Sequence, residues 1–227
     1  MRITTWNCCR GKPEVKLPHL LKNNPDIVAL QESAKPSGLL GESQAWHGDN
    51  PHQGLLALAY NGFNLESVKR RRIIAKFFFP IHVTGAAEFN LLMIWVKPLT
   101  QTRNYMDALF HGVTAYRDFI RSDRTIVLGD LNSAAYFGKR HLEFVEMMRQ
   151  EFDLVSTYHE YFEVNHGEET HFTYFDRTQK GRPYHIDYCF VPRPWLGNLK
   201  RVEVGKPRTW TRLSDHVPLT IELDQRS

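Results

Sequence analysis

Gly129-Asp130-Leu131-Asn132-Ser133 sets an acid and an amide two residues apart. On an extended backbone that spacing puts both side chains on the same side, where they can act on one point in a cleft. Asn7, Glu32, Asp187, Asp215 and His216 stand at or near the ends of other strand-like runs. Carboxylates, amides and an imidazole accept, donate and transfer protons, and their oxygens suit hard cations.

The elements that must position these groups are short and apolar. Thr125-Ile126-Val127-Leu128 reads as a strand buried on both faces, and Gly129 is expected to turn the chain sharply after it. Arg2 to Trp6 is an opening strand that delivers Asn7, and Ile27 to Leu30 is a buried strand ending in Gln31-Glu32-Ser33. Glu32 thereby reaches the carboxyl end of a strand, where open α/β sheets tend to hold ligands. Tyr184 to Val191 is a strand with Asp187 in its interior, and a carboxylate buried there requires a partner. Asp215 and His216 lie at the mouth of a closing strand, Val217 to Leu223.

Between these runs, Val15 to Asn23 has weak helical spacing, with Pro18 tolerable only in a first turn. Pro36 to Gln53 reads as a long polar loop. Asn61-Gly62 predicts a hairpin joining Leu55–Tyr60 to Phe63–Val68, and a second apolar pair, Ile73–Val83 and Glu88–Val96, flanks Thr84-Gly85-Ala86-Ala87. Asn104 to Arg121 and Lys139 to Phe152 have amphipathic spacing; Leu142, Val145 and Met148 form the expected inner face of the second. Thr170 to Phe175 alternates like an antiparallel strand, and Leu199 to Val204 is a further strand. Strand, helix and strand in succession favour a parallel or mixed sheet with helices outside.

The 227 residues, 42% hydrophobic and 24% charged, exclude a disordered chain and suit a single domain over 1–227. A net charge of +4 and the run Lys69-Arg70-Arg71-Arg72 are compatible with a phosphate-bearing partner. Cys8, Cys9 and Cys189 are an odd count read as reduced thiols. With no apolar run near bilayer length and a polar start unlike a signal peptide, the expected location is cytoplasmic.

Trp6-Asn7, Gln31-Glu32, Gly129-Asp130-Leu131-Asn132-Ser133, Ile186-Asp187-Tyr188 and Ser214-Asp215-His216, in that order over nearly the whole chain, resemble the motifs of the endonuclease/exonuclease/phosphatase superfamily. The resemblance implies a four-layered α/β sandwich of the DNase I type, two mixed sheets face to face with helices outside. It also implies cleavage of a phosphate ester with Mg2+ or Mn2+. Carried onto this chain, it makes Glu32 the first metal ligand, assisted by Asp215 and the Asn7 amide. Asp130 would deprotonate the attacking water, Asn132 would hold that water or a phosphoryl oxygen, His216 would donate to the phosphoryl oxygen, and Asp187 would fix the His216 tautomer.

Three positions depart from the family pattern. Trp95 or Lys97 stands where a His or Tyr is usual at the end of the strand before the long helix, and Cys9 replaces an Asp usual in apurinic endonucleases. Ile186-Asp187-Tyr188 replaces the Cys-Asp-Arg of inositol phosphatases. The leading reading is a nuclease acting on DNA or RNA. Trp95, Lys97, Tyr184, Arg70 and Arg71 are its candidate substrate contacts, and Trp46, Tyr184 and Trp210 could stack on bases. The alternatives are a hydrolase of a small phosphoester or phospholipid head group, and an inactive nucleic-acid-binding relative.

Overall fold

A computed structural model describes residues 1–68, 76–98, 104–121, 124–176 and 181–224. One six-stranded sheet comprises β1 (Arg2–Asn7), β2 (Ile27–Ser33), β3 (Ser43–Asn50), β4 (Gln53–Ala59), β11 (Leu199–Val204) and β12 (Leu219–Leu223), in the order β11-β12-β1-β2-β4-β3. The other comprises β5 (Phe63–Ser67), β6 (Phe78–Gly85), β7 (Phe89–Trp95), β8 (Thr125–Asp130), β9 (Leu154–Ser156) and β10 (Asp187–Pro192), in the order β5-β6-β7-β8-β10-β9. Each sheet is mixed. β1 and β2 run parallel across α1 (Pro13–Leu21), while β7 and β8 run parallel across α2 (Tyr105–Ala115) and α3 (Arg117–Ile120).

Side-chain alternation builds the layers. Along β8, Ile126 and Leu128 enter the core between the sheets, where they meet Ile3, Ala29, Ala57 and Leu91. Val127, pointing the other way, packs under Leu109 and Val113 of α2 and under Phe144 and Met148 of α4 (Lys139–Phe152). On the opposite surface Leu17 and Leu20 of α1 cover Val28, Leu30, Leu56 and Leu58. Three apolar cores therefore separate four layers, and each fully buried aliphatic side chain contributes about 1.5–3 kcal/mol. This is the expected DNase I-like sandwich.

Topology brings the polar strand ends to one edge. The carboxyl ends of the parallel β1 and β2 point the same way, and β12, antiparallel to β1, begins where β1 ends. In the facing sheet β10 is antiparallel to β8, so Asp187 at its start pairs in register with Asp130 at the end of β8. Asp187 is thus the first residue of its strand rather than an interior one.

Several local expectations are corrected. Asn61 and Gly62 do turn the chain, both with positive φ (56° and 79°), but β4 and β5 belong to different sheets, so the turn is a crossover and not a hairpin. The hairpin partner of β4 is β3, which lies inside the expected loop; its polar sequence suits an edge strand with little burial. α1 starts at Pro13 and contains Pro18 in its interior, on the exposed face, where the carbonyl left without a donor meets water. The 104–121 helix breaks into two at Tyr116. On α4 Met148 faces the sheet as expected and Val145 packs partly buried beside it, but His141 and Phe144 complete the buried face and Leu142 is 46% exposed. Thr170–Phe175 forms only isolated bridges at Tyr174. Gly129 does not turn the chain but continues β8 at φ 134°, and a Cβ there would sit 1.9 Å from the Ile94 carbonyl oxygen.

Candidate active site

At the shared sheet edge one amide ties the two sheets together. Asn7 donates through Nδ2 to Asp130 Oδ2 at 2.9 Å and to Glu32 Oε1 at 3.2 Å. Glu32 has a left-handed backbone, φ 57°, where the β2–β4 register shifts, and its other oxygen accepts from Gln53 Nε2 at 2.9 Å. Asp130, 1% exposed, accepts the Asn132 backbone N–H at 2.8 Å and the Asn132 amide at 3.1 Å; that amide also donates to the Val96 carbonyl. Asn132 adopts φ 47°, so the pair converges through a left-handed residue rather than along an extended chain.

His216 and Asp187 form the second half of the cluster. His216 Nδ1 lies 2.8 Å from Asp187 Oδ2, and its Nε2 lies 3.9 Å from Asp130 Oδ2. The ring is held from behind, because Trp6 Nε1 donates to the His216 carbonyl and the His216 N–H donates to Ser214 Oγ. Ser214 in turn donates to the Asn7 carbonyl at 2.7 Å. Thr173 Oγ1 receives the backbone N–H groups of both Ile186 and Asp187. Asp187 is fully buried, and its Oδ1 has no hydrogen-bond partner among the described residues.

Burial pushes the Asp130 carboxyl up to about 7; Asp187 adds to the rise, while His216 and the Asn7 amide oppose it. Burial pulls the other way at His216 but is outweighed by Asp187 and Asp130, which leave its pKa raised to about 9. Near neutrality, then, Asp130 can take a proton while His216 holds one to donate. Glu32 and Asp130 crowd around a single amide, with Asp187 behind and half-buried Asp215 at the rim. Such a set of carboxylates, with one buried oxygen orphaned, fits a hard divalent cation bound through oxygen.

Asn7, Glu32, Asp130, Asn132, Asp187 and His216 come together, and Asp215 borders them beside Ser214 and Cys9. Asn7, expected to assist the metal through its amide, here donates through Nδ2 to the acids while its Oδ1 accepts the Cys9 N–H at 3.0 Å. Burial, with Asp215 next, raises the pKa of the Cys9 thiol, so this position does not supply the charge of the Asp it replaces. Trp95 is also corrected. It is 3% exposed in the inter-sheet core against Phe77, which removes it as a substrate contact. Half-buried Lys97 lies with Nζ 4.6 Å from the centre of the Trp95 ring. Trp210, one of the aromatics that could have stacked on bases, packs on Trp6, and Trp46 is half-buried on β3. Arg70 and Arg71 lie outside the described residues.

Tyr184 lines a cavity of about 680 Å3 together with Asn132 and with Tyr174, whose ring centre lies 4.9 Å from that of His216. Tyr136 and Phe137, 62% and 55% exposed, meet the Tyr184 ring at its rim. Sequence reasoning missed these two aromatics, along with Tyr174 and Gln53. An adjacent aromatic pair directly after the Asp130–Ser133 motif was the available signal for the first two; nothing in the sequence distinguished Gln53.

The model of the endonuclease/exonuclease/phosphatase family matches residues 4–216. No curated protein matches the chain. Among solved structures, a 3′-5′ exonuclease of Neisseria meningitidis superposes with a TM-score of 0.70 at 20% identity, covering 99% of this chain and 100% of the other. An AP endonuclease from Archaeoglobus fulgidus gives 0.69 at 18% identity and 99% of both chains. A Leishmania major AP endonuclease gives 0.73 at 14% identity, covering 99% of this chain and 88% of that one. At these identities the structures establish a shared fold, while the family match spans nearly the whole sequence and all the clustered acids. The chain belongs to the endonuclease/exonuclease/phosphatase family.

Proposed function

We propose that this chain is a divalent-metal-dependent nuclease, hydrolysing phosphodiester bonds of DNA or RNA at the edge shared by its two sheets. The single observation that carries the reading is the bridge from Asn7 to both Glu32 and Asp130, which joins a cation-binding acid to a proton-accepting acid across the sandwich. Asp130, raised to about 7, takes the proton of the attacking water, and Asn132 keeps the carboxylate and that water oriented. His216, protonated below about 9 and aligned by Asp187, donates to the phosphoryl oxygen on which charge accumulates. A bound Mg2+ or Mn2+, held by Glu32 with Asp215, would neutralise charge on the phosphoryl group and on the departing oxygen.

The cavity beside Asn132 supports nucleic acid over an isolated phosphoester. Tyr174, Tyr184 and Phe137 line it, Tyr136 flanks it, and Lys139 and Arg140 stand at its rim, an arrangement suited to a nucleoside attached to the reacting phosphate. One domain over residues 1–227 and a reducing compartment, consistent with three unbridged cysteines, belong to the same reading. No helix among the described residues is long and apolar enough to cross a membrane.

The decisive assay incubates labelled single- and double-stranded DNA and RNA, alongside nucleotides and inositol phosphates, with Mg2+ or with a chelator. Cleavage of oligonucleotides that stops with chelator and with Asp130→Ala is expected. Turnover confined to the small phosphoesters, or oligonucleotide cleavage that survives either treatment, would overturn it.

A further inference from the structure

A second buried polar cluster takes no part in this chemistry. His141 comes from α4, His159 from α5 (Thr157–Phe162), His166 and Glu169 from the loop that follows, and His185 from the segment leading into β10. His159 Nε2 lies 3.0 Å from Glu169 Oε1, the His166 ring stacks on that of His159 at 3.5 Å between centres, and His141 Nε2 lies 3.3 Å from His166 Nδ1. One donor atom from each of His159, His166 and Glu169 falls within 4.8 Å of the other two.

Three of the imidazoles are anchored through Nδ1 by groups outside the cluster. His141 is engaged by Ser133 Oγ at 2.9 Å, His159 by Ser156 Oγ at 2.8 Å and His185 by the His171 carbonyl at 2.9 Å. A carbonyl can only accept, so Nδ1 of His185 carries the proton and Nε2 the lone pair; that Nε2 is buried with no hydrogen-bond partner among the described residues, on a ring 5.7 Å from His159. Ligating histidines are commonly fixed in this way, the distal ring nitrogen occupied and the other free for the metal. Imidazoles with one carboxylate suit zinc and its neighbours, whereas magnesium prefers oxygen throughout. A tetrahedral ion with bonds of about 2.0–2.1 Å holds its ligand atoms about 3.3 Å apart. The His159 Nε2–Glu169 Oε1 separation of 3.0 Å lies near that spacing, and the donor atoms of His159, His166 and Glu169 are all within 4.8 Å of one another.

We propose that His159, His166 and Glu169, with water as the fourth ligand, bind one zinc-class divalent transition-metal ion at a site separate from the acidic cluster. Burial keeps His141 and His166 unprotonated at neutral pH, with pKa values pulled down to about 4 and about 2. His159 and Glu169 are nearly sealed, while the partly exposed His166 gives the ion a way in. The bound ion would clamp the loop after α5 onto the second sheet. Through His141, which lies 3.3 Å from His166 and is engaged by Ser133, it would brace the segment that carries Asn132.

The test titrates the chelator-treated full chain with Co2+ and reads its visible absorption. The expected result is one four-coordinate cobalt per chain, its intense bands displaced by Zn2+ but not by Mg2+ and distinct from any weakly absorbing six-coordinate cobalt at the acidic cluster, and a Tm that rises with added Zn2+. His166→Ala and Glu169→Gln should each lose the bands, whereas Asp130→Asn, altered only in the acidic cluster, should keep them. If circular dichroism shows His166→Ala to be unfolded, the near-isosteric Glu169→Gln decides. Failure to bind cobalt, a weak six-coordinate spectrum alone, bands that survive Glu169→Gln, or bands lost in Asp130→Asn would each overturn the proposal.

Discussion

Two buried polar clusters occupy the same end of one sheet and are built by opposite rules. The acidic cluster takes Asn7, Glu32, Asp130, Asp187 and His216 from five places spread along the chain, the first four delivered by strand ends and His216 by the segment before β12. Four of the five residues of the histidine cluster lie between His159 and His185, with only His141 from elsewhere, and its groups come from helix and loop. In the first, carboxylates crowd until burial lifts a proton affinity to about 7 at Asp130; in the second, imidazoles crowd until burial suppresses theirs. The contrast separates roles: the first cluster is poised to move a proton near neutrality, while in the second His141 and His166 stay neutral there beside an anionic Glu169.

The sharpest way to break this contrast is Asp130→Ala. Losing the proton acceptor should lower kcat by about 10^4-fold, the upper end for a general base, with the secondary structure retained by circular dichroism. A variant within tenfold of the parent would remove Asp130 from the chemistry. His216→Ala comes next, with a loss of about 10^2–10^3-fold for a missing donor to the phosphoryl oxygen. This change also leaves Asp187 buried without its partner, and breaking such a pair costs about 3–5 kcal/mol. Denaturant unfolding should therefore show a large stability loss here.

The pH–rate profile gives a smaller and finer test. Asp130 must be deprotonated, and its pKa is raised, so activity rises with pH through about 7. His216 must stay protonated, and its pKa is raised too, so activity falls through about 9. The resulting bell should change about tenfold per pH unit on its outer limbs. Asp187→Asn removes the charge that holds the His216 proton, so the alkaline limb should move down in pH; the acid limb should move down by less, because burial and not Asp187 is the main cause of the raised Asp130 pKa. Were the alkaline limb unmoved, His216 would not be the group that sets it.

How much of this was legible in the sequence follows from the same contrast. Strand-end polar groups such as Glu32 and Asp130 stand out because an apolar, β-branched run precedes each, and their order along the chain carried the family resemblance. The sheet edge that gathers them could not be read, because strand pairing is settled by long-range packing: Asn61-Gly62 has the local chemistry of a hairpin, yet its flanking strands enter opposite sheets. β3 escaped notice for a related reason, since an edge strand needs little apolar surface. Trp95 read as a site residue by position alone, and only the layer geometry shows its side chain turned into the core. The histidine cluster was invisible. Its members alternate with ordinary loop residues, and none of the spacings among His159, His166, Glu169 and His185 repeats.

The smallest expected effect tests whether the two clusters are coupled. Ser133 follows Asn132 and engages His141 Nδ1, while Ser156 engages His159 Nδ1 on the far side of the histidines. Ser133→Ala and Ser156→Ala each leave one imidazole nitrogen of the cluster without its partner, so each should cost about 1 kcal/mol and lower Tm by a similar amount. Only the first change touches the segment that orients Asp130. A decrease in kcat of a few fold for Ser133→Ala, with none for Ser156→Ala, is expected if the histidine cluster braces the acidic one through this hydroxyl. Equal kcat values for the two variants would leave the clusters as neighbours that share a sheet but no energetic link, because the same hydrogen bond would then have been lost on both sides without consequence for Asn132.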